Sequence, residues 1–523
     1  MAVMASASSS SSSSASGGSP KRRRVEASKA SWPRLLGVKV PERPLLLATD
    51  TGGTLGAADA LGDLGVPFRY LFASEADLPT LNLLMNQHPS CVPESVFGGT
   101  VGRDRGGLCR VTGKWQAVPK VQLDLYIACS GTHSANPDRF FAAVKYIAEY
   151  LPKAVILEDL MAACRPDHAG NLAADAIIAL LEQAGPYEVD AFMVNTADYG
   201  LPQRRLRIYY VMVQKSVLRP WYLHKQDPLG RLRESLAQLR RRLSTAPLEA
   251  EHLLLHCEGA CSTGGHLCCS SSDATFLSTT PSTSQAEPQA ASESAPSRAP
   301  ATMASENLSL LQGLMAMSPN MASLHQRFRR QLGLSLEDNS YFESAGARLV
   351  QCLRSVREAD LCQIHWLKAR KEGREVRFVS TTQDVHRAQV SFTGEIPPLT
   401  AHTRLWSYRL QRCLGGREMM ALQGFALSKW SFESVSESSL CRVASNAMAV
   451  NGIAALLAAL LSGSDFGAPG ERDLDSEAQQ MRERRRTQLS DLRQHELLSD
   501  WRRKYAALRR RLDGMRYRSA FGA

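Results

Sequence analysis

The feature that most limits the fold of this chain is a regular alternation between residues 44 and 213, where short apolar runs are separated by longer stretches of helical periodicity. We predict strands at residues 44–49, 68–75, 123–128, 153–160, 189–195 and 206–213. Residues 54–65, 138–152 and 171–185 have apolar residues three and four apart, end near Gly or Pro, and are predicted to be crossover helices. The alternation predicts an α/β fold with a doubly wound, mostly parallel sheet and a site at the carboxyl ends of its strands.

Shifts in composition predict five segments along the chain. Residues 1–32 form a disordered Ser-rich tail, and residues 33–213 form the first part of the sheet domain. A second, smaller domain covers residues 214–403, residues 404–465 return to complete the sheet domain, and residues 466–523 form a basic helical tail. That tail is expected either to lie along nucleic acid or to pack on the core as an amphipathic helix.

Two low-complexity stretches lie within these segments. The basic run at residues 20–25, "PKRRRV", has the form of a signal read by the nuclear-import machinery, and it predicts a nuclear protein; a solvated charge cluster is the alternative. Residues 258–306 are rich in Ser, Thr, Ala and Pro and are predicted to be a flexible insert. Residues 256–269 gather four cysteines and two histidines, but their spacing matches no paired-knuckle zinc pattern, so we predict no metal site; zinc binding by this cluster is the alternative.

The charge of the chain favours a polyanionic partner. The 523 residues carry a formal net charge of +11, which suits nucleic acid better than a small acidic metabolite. No apolar run approaches the roughly 20 residues that cross a bilayer, so no membrane partner is expected. The 12 cysteines are scattered through a long chain, which favours reduced thiols over a disulfide framework. Nothing in the sequence indicates the oligomeric state.

A concentrated basic run precedes the last of the predicted strands. "YGLPQRRLRIYYV" places Gln203, Arg204, Arg205 and Arg207 between a Gly-Leu-Pro turn and an apolar run. Such a run is either a solvated basic turn or a grip for a phosphate or a carbonyl oxygen, because a planar guanidinium can hold an oxygen bidentately.

This run and several other stretches, taken in order, resemble the motifs of the cytosine-5 DNA methyltransferase family over residues 44–213 and 404–462. "REMMALQGFALSKW" resembles the family's Gln-Gly-Phe helix through Gln423, and "SNAMAV" resembles the Asn-Ala helix that completes the cofactor pocket, through Asn446. The resemblance implies the S-adenosylmethionine-dependent methyltransferase fold with an inserted target-recognition domain. It also implies that Arg205 faces the target base and that Gln203, Arg204, Arg207 and Gln423 contact nucleic acid.

A carboxylate at the end of a predicted strand is the first catalytic candidate. "AVILEDL" resembles the family's Glu-Asn-Val segment, with Asp159 where Asn is usual. The resemblance implies that Glu158 bonds to N3 of a flipped cytosine, while a helix-capping acid is the alternative. The extra charge of Asp159 is expected to raise the pKa of Glu158 or to disturb the neighbouring loop.

The nucleophile motif departs from the family pattern. The family's thiolate sits in a Pro-Cys-Gln run, whereas "LDLYIACSGTHSANPDRFF" has Cys129 between Ala128 and Ser130, and an ungapped register brings Thr132 nearest the expected position. A thiolate is needed because attack on C6 requires a soft, partly ionised nucleophile, so Cys129 is the candidate. A buried structural cysteine is the alternative.

The cofactor loop also departs from the pattern. "LATDTGGTLGAADALGDLG" takes the place of the family's first Gly-rich loop, with Ala48 and Asp50 where an aromatic residue and a Gly are usual. The resemblance implies that S-adenosylmethionine binds to residues of this loop, to an acid after the second strand and to the closing helix; these are Asp50, Thr51, Gly52, Gly53, Glu75 and Asn446.

Taken together, the resemblance implies transfer of a methyl group from S-adenosylmethionine to C5 of a flipped cytosine in DNA. Two alternatives stay open: a catalytically silent protein that binds nucleic acid or chromatin, and a tRNA cytosine-5 methyltransferase. The sequence does not decide between DNA and RNA, and it does not fix the base sequence that is recognised.

Overall fold

The structure is a computed structural model that describes residues 29–466 except for residues 39, 52–54, 88–90, 130–137, 162–172, 220–226, 244–248, 252, 255–315, 336–339, 342–352 and 401. Four predicted features therefore lie outside the described residues: the nuclear-import signal, the flexible insert, the Cys/His cluster and the basic tail.

The chain forms one large sheet and two small ones. In chain order the strands that precede the second domain are β1 (Leu45–Asp50), β2 (Phe68–Ser74), β3 (Ser95–Phe97), β4 (Gly107–Leu108), β5 (Trp115–Gln116), β6 (Leu125–Cys129), β7 (Ala154–Asp159), β8 (Tyr187–Asn195) and β9 (Leu206–Gln214). Seven of them make a sheet in the order β3-β2-β1-β6-β7-β9-β8, and β4 pairs with β5 as a short hairpin. The prediction of a doubly wound, mostly parallel sheet is confirmed. Strand β9 runs antiparallel to both of its neighbours.

Eleven α-helices occur in the described part of the chain. They are α1 (Trp32–Leu35), α2 (Gly56–Leu64), α3 (Leu78–Met85), α4 (Asp138–Tyr150), α5 (Ala173–Glu182), α6 (Gly230–Leu243), α7 (Pro319–Gln331), α8 (Val356–Lys371), α9 (Gly416–Leu422), α10 (Glu437–Asn446) and α11 (Val450–Gly463). Short 3-10 helices span Lys29–Ser31, Arg103–Arg105, Thr196–Tyr199 and Leu427–Lys429. The sequence predicts helix throughout residues 445–461, but Ala447 and Ala449 have extended backbones that separate α10 from α11.

Both faces of the large sheet are covered by helices. Helices α2, α6 and α11 contribute buried residues such as Leu61, Leu236 and Leu457 to the core on one face. Helices α4 and α5 contribute Ile147 and Leu181 to the core on the other face. Burial on both faces explains why the central strands read as continuous apolar runs, and it leaves the carboxyl ends of the strands as the edge where polar side chains can gather.

A second sheet belongs to the smaller domain. Strands β10 (Phe378–Ser380), β11 (Val390–Ser391), β12 (Leu405–Ser407) and β13 (Arg412–Cys413) pair antiparallel in the order β11-β10-β12-β13. Residues of α8 pack on this sheet around the buried Trp406 and Cys362. The predicted limits of the smaller domain, residues 214 and 403, differ from the observed packing. Helix α6 lies on the core of the large sheet, and the small sheet continues to Cys413.

The segment Glu437–Gly463 is long and apolar enough to cross a membrane, contrary to the sequence prediction that no such run exists. Its most apolar window is 94% buried within the fold, and its second part, α11, packs between α2 and α6. The segment therefore has the character of a core helix pair.

Two glycines of α2 give the first prediction, because they meet different surroundings. A Cβ at Gly56 would lie 2.8 Å from the Met448 carbonyl oxygen, whereas a Cβ at Gly62 would have no atom within 4 Å. We expect Gly56→Ala to lower the free energy of unfolding by about 1–3 kcal/mol through overpacking. Gly62→Ala, in the same helix, should raise it by about 0.5–1 kcal/mol because alanine favours helix. Urea denaturation measures both, and equal effects would contradict the close approach of α2 to Met448.

Candidate functional site

The ends of two neighbouring strands bring a thiol and a carboxylate together. Strands β6 and β7 are parallel, and their register pairs Cys129 with Glu158. Side chains of paired residues in parallel strands project to the same face, and such strands lie about 4.8 Å apart. Cys129 is half-buried, while Glu158 is only 3% exposed. The two predicted catalytic residues therefore lie side by side at the carboxyl edge of the sheet.

Two guanidinium groups flank the Glu158 carboxylate. Its Oε1 atom lies 3.4 Å from Nε of Arg207 and 3.7 Å from Nη2 of Arg205. This oxygen is buried, yet no described residue gives it a hydrogen bond. Burial raises the pKa of Glu158; the two arginines oppose this effect, and the charge of Asp159 adds to it. The predicted influence of Asp159 thus has the expected sign but is smaller than that of burial.

Arg205 is held mainly by backbone carbonyl groups. Its Nη1 atom donates to the carbonyl oxygens of Leu399 at 3.3 Å and Ser445 at 3.2 Å, and its Nη2 atom donates to Ala447 at 3.1 Å. The side chain is buried, and these partners come from two segments far away in the sequence. Arg205 therefore joins the sheet edge to the closing segment of the chain, which the sequence did not predict.

Arg207 lies closer to Glu158 and is more accessible. Its side chain is 15% exposed, against 4% for Arg205. Burial and the nearby charge of Arg205 lower the pKa of Arg207, and Glu158 and Cys129 oppose this effect. Because Arg207 lies on the same face as Glu158 and Cys129 and is more accessible than Arg205, it is the guanidinium better placed to meet a substrate.

The other polar residues of the basic run have separate environments. Arg204 is exposed and ion-paired with Glu395 of the smaller domain. Gln203 is fully buried, and its backbone pairs with Ile396. Gln423 is also buried and donates to the Ala444 carbonyl oxygen at 2.9 Å. Gln203 and Gln423 face the protein interior in this structure. The role of these residues in contacting nucleic acid stays a prediction.

The predicted cofactor residues are split between two environments. Glu75 is buried directly after β2, and its Oε1 atom accepts hydrogen bonds from the backbone N–H groups of Ala76 at 2.8 Å and Asp77 at 3.0 Å. Burial raises the pKa of Glu75, and these hydrogen bonds oppose the rise. Thr51 is half-buried after β1, and Asn446 is exposed at the end of α10. Gly52, Gly53 and Thr132 lie outside the described residues.

Asp50 has partners that sequence reasoning missed. Its carboxylate is ion-paired with Arg103 and hydrogen-bonded to the hydroxyl of Tyr126. The Arg103 guanidinium lies 5.0 Å from the ring centroid of Phe72 and 4.7 Å from that of Tyr146, and it donates to Ser74. In the sequence Arg103 belongs to a short charged and Gly-rich stretch that looks like a solvated turn. Its exclusion from water could not be read from that stretch alone.

The fold and this cluster define an open α/β protein with its site at the carboxyl ends of the strands. The family model described as C-5 cytosine-specific DNA methylase matches residues 130–249 of the chain. This part of the chain is therefore similar to that family. The matched span contains Glu158 and the basic run at 203–207, while Cys129, Glu75 and Gln423 lie outside it.

Several solved structures are similar to this chain at low identity. A prophage protein of E. coli assigned as a DNA modification methyltransferase is 16% identical, covers 80% of this chain and 99% of its own, and has a TM-score of 0.40. The Dnmt2 methyltransferase of S. pombe is 11% identical over 80% of this chain and 98% of its own, with a TM-score of 0.34. A substituted Dnmt2 of Spodoptera frugiperda is 10% identical over 80% and 99%, with a TM-score of 0.36. These scores are too low to carry conclusions about activity. No curated protein sequence matches the chain.

The raised pKa of Glu158 gives a prediction for the variant Glu158→Gln. The folded protein retains the Glu158 proton to a higher pH than the unfolded chain, whose glutamate pKa is 4.5. The stability that Glu158 contributes is therefore full below that value and falls as the pH rises through the raised pKa. We expect the unfolding free energy of the wild type, minus that of the variant, to decrease as the pH rises above 4.5.

Urea denaturation over a pH series measures this difference. The control is Glu375→Gln, which replaces a carboxylate whose side chain is 71% exposed and should show a smaller slope. A difference for Glu158→Gln that is flat or rises with pH would contradict the burial of its charge.

The carbonyl contacts of Arg205 give a second prediction. Lys in place of Arg keeps the charge but cannot reproduce the planar fork that reaches three carbonyl groups. Buried carbonyls that lose their donors cost about 1–3 kcal/mol each, so Arg205→Lys should lower the free energy of unfolding by at least about 2 kcal/mol. Arg204→Lys is the matched control at the neighbouring exposed position and should change it by no more than about 0.5 kcal/mol. Similar losses in the two variants would show that the carbonyl contacts of Arg205 add no stability.

Proposed function

We propose that this protein transfers a methyl group from S-adenosylmethionine to C5 of a cytosine that is flipped out of DNA. The observation that carries the proposal is the register of β6 and β7, which sets the Cys129 thiol beside the Glu158 carboxylate with Arg207 on the same face. Chemistry on a base in a duplex requires the base to leave the stack and to be held by its Watson–Crick edge. A carboxyl group, a guanidinium and a nucleophile at one sheet edge suit that task.

Cys129 is the nucleophile in this proposal. Its thiolate forms a bond to C6 of the cytosine, and the electron pair of the C5–C6 double bond moves toward C5 and the ring. The positive charge of Arg207, whose own pKa is influenced by Cys129, favours the ionised form of the thiol. When the C5 proton is lost after methylation, the sulfur–carbon bond breaks and the thiolate is released.

Glu158 serves as a proton-bearing partner for N3 of the base. Burial raises its pKa, so the carboxyl group keeps its proton at a higher pH than an exposed glutamate does. Its Oε1 atom has no hydrogen-bond partner among the described residues, and it is therefore free to bond to a ligand. A bond from this group to N3 stabilises the negative charge that enters the ring when the thiolate adds.

The two arginines take different roles. Arg207, which is partly accessible, binds the O2 atom of the base or an adjacent phosphate. Arg205 is a positioning residue, because its guanidinium is engaged by the carbonyl groups of Leu399, Ser445 and Ala447. Its charge at 3.7 Å still acts on Glu158. This assignment replaces Arg205 by Arg207 as the base-facing residue that the resemblance implies.

The residues at the β2 end of the sheet fit S-adenosylmethionine in part. A buried carboxylate after β2 suits two ribose hydroxyl groups, and Glu75 occupies that position. Asp50 does not suit the cofactor, since Arg103 and Tyr126 already engage its carboxylate. S-adenosylmethionine, when bound, supplies the activated methyl group. Glu75 would hold its ribose, and Thr51 and Asn446 would contact other parts of the cofactor.

The substrate and location complete the proposal. The net charge of +11 and the name of the matched family support DNA as the substrate. The basic run at residues 20–25 supports import into the nucleus. The experiment must discriminate this proposal from two alternatives: an RNA substrate, and a catalytically silent protein that binds nucleic acid.

The decisive experiment measures transfer of a tritiated methyl group from S-adenosylmethionine to cytosine-containing duplex DNA, with tRNA tested in parallel. We expect transfer to DNA, and a loss of at least about 1000-fold in Cys129→Ala because the nucleophile is removed. Cys91→Ala is the matched control, since Cys91 is a half-buried cysteine away from the β6 and β7 ends.

The other outcomes are informative in distinct ways. Transfer to tRNA alone would replace the DNA substrate by RNA. Binding of nucleic acid without transfer to either substrate would overturn the enzymatic proposal in favour of a silent binding protein. Transfer that survives in Cys129→Ala would remove Cys129 from the mechanism.

A further inference from the structure

The smaller domain contains a pocket that lies apart from the residues discussed above. It has a volume of about 590 Å³ and lies between the carboxyl end of α8 and the turn that joins β12 to β13. Tyr341, Trp366 and Tyr408 line its interior, and Arg370, Arg374 and Arg409 line its rim. Pockets of this volume commonly take a ligand the size of a nucleotide.

Hydrogen bonds hold the aromatic floor of the pocket in place. The Tyr408 hydroxyl donates to the Cys362 carbonyl oxygen at 2.8 Å, and Trp406 Nε1 donates to the Tyr341 hydroxyl at 3.1 Å. The ring centroid of Tyr341 lies 5.4 Å from that of Trp366 and 5.3 Å from that of Tyr408. These contacts fix the rings before any ligand arrives, which lowers the entropic cost of binding.

The rim of the pocket is positively charged. Arg370 lies over the Trp366 ring at 5.3 Å, and within the described chain neither Arg370 nor Arg409 has an ion pair. Arg374 lies 3.5 Å from Glu372. Glu375, the acidic residue of the lining, lies 3.4 Å from Arg377, which is outside the lining. Arg370 and Arg409 are therefore the cationic groups of the rim that no carboxylate of the described residues offsets.

The charge of the rim decides between two ligands that aromatic pockets bind. Quaternary ammonium groups bind to aromatic faces, but here the cationic side chains of Arg370, Arg374 and Arg409 surround the opening. A cationic ligand would be repelled. A planar ring that carries a negative charge fits both parts of the pocket, because the ring can stack and the charge can pair with Arg370 and Arg409.

The backbone at the edge of the pocket supports a binding role. Gln411 has a φ of 52°, a left-handed conformation that a glycine adopts without strain and a glutamine does not. Strained residues of this kind are concentrated at ligand sites. The glutamine amide at this edge can donate and accept hydrogen bonds, as a base edge requires.

We propose that this pocket binds an unpaired nucleotide of a nucleic-acid strand, with the base against the aromatic floor and the phosphate on Arg370 and Arg409. The proposal rests on the proposed function only in that nucleic acid is the partner. It adds a site in the smaller domain that receives a base other than the cytosine to be methylated.

The test uses the full chain and a fluorescently labelled oligothymidylate of twelve residues, which has no target cytosine. An abasic strand of the same length is the matched ligand. Fluorescence anisotropy should show that wild type binds oligothymidylate about 10-fold more tightly than the abasic strand. Trp366→Ala should abolish this preference, and the Arg370→Gln, Arg409→Gln double variant should weaken binding of both strands by about 10-fold.

Two further variants keep the test decisive. Arg387→Gln removes an exposed charge outside the pocket and should leave both affinities within about 2-fold. Gln411→Gly should raise the melting temperature while weakening the binding of oligothymidylate, and it keeps the test valid if Trp366→Ala does not fold. Equal affinity of wild type for the two strands, or an equal loss in Arg387→Gln, would overturn the proposal. Methyl transfer to duplex DNA is measured separately, so its failure would leave the result for the pocket unaffected.

Discussion

The rest of the site depends on charged side chains that are buried at the carboxyl edge of the large sheet. Glu158 shares its buried environment with Arg205 and Arg207, so one carboxylate faces two permanently charged groups. Electrostatic interactions are stronger there than in water, and an unpaired charge there would be costly. Arg205 avoids that cost through carbonyl groups of Leu399, Ser445 and Ala447, which come from outside the sheet. Arg205 thus connects the sheet edge that carries Glu158 to the closing segment of the chain.

A second buried ion pair, between Asp50 and Arg103, lies at the end of β1. Asp50 stands where the family usually has a Gly, and a buried carboxylate at that place needs a counter-charge. Arg103 supplies the charge, and the rings of Phe72 and Tyr146 surround its guanidinium. The unusual residue at position 50 and the buried Arg103 therefore form one unit. Asp50, which differs from the residue that the resemblance implies at this position, thus has a counter-charge in Arg103.

Much of the fold could be predicted from the sequence, because the apolar runs that form β1, β2, β6, β7 and β9 are mostly buried and bounded by turns. The antiparallel direction of β9 could not, since side chains alternate with the same period in either direction. The positions of Cys129 and Glu158 at the ends of strands could be predicted from the sequence, whereas the burial of Gln203 and Gln423 could not. A glutamine usually lies at the surface, and the contacts that bury these two come from distant segments. The carbonyl partners of Arg205 also come from distant segments, so no local sequence pattern predicts them.

The smaller domain contacts the basic run at the carboxyl edge of the large sheet. Gln203 pairs with Ile396 through the backbone, and the Arg204 amide donates to the Ile396 carbonyl oxygen at 3.3 Å. Glu395 adds an ion pair with the Arg204 side chain. Arg205 follows directly in the chain and lies beside Glu158. Residues 203–205 therefore connect the smaller domain to the sheet edge that carries Glu158.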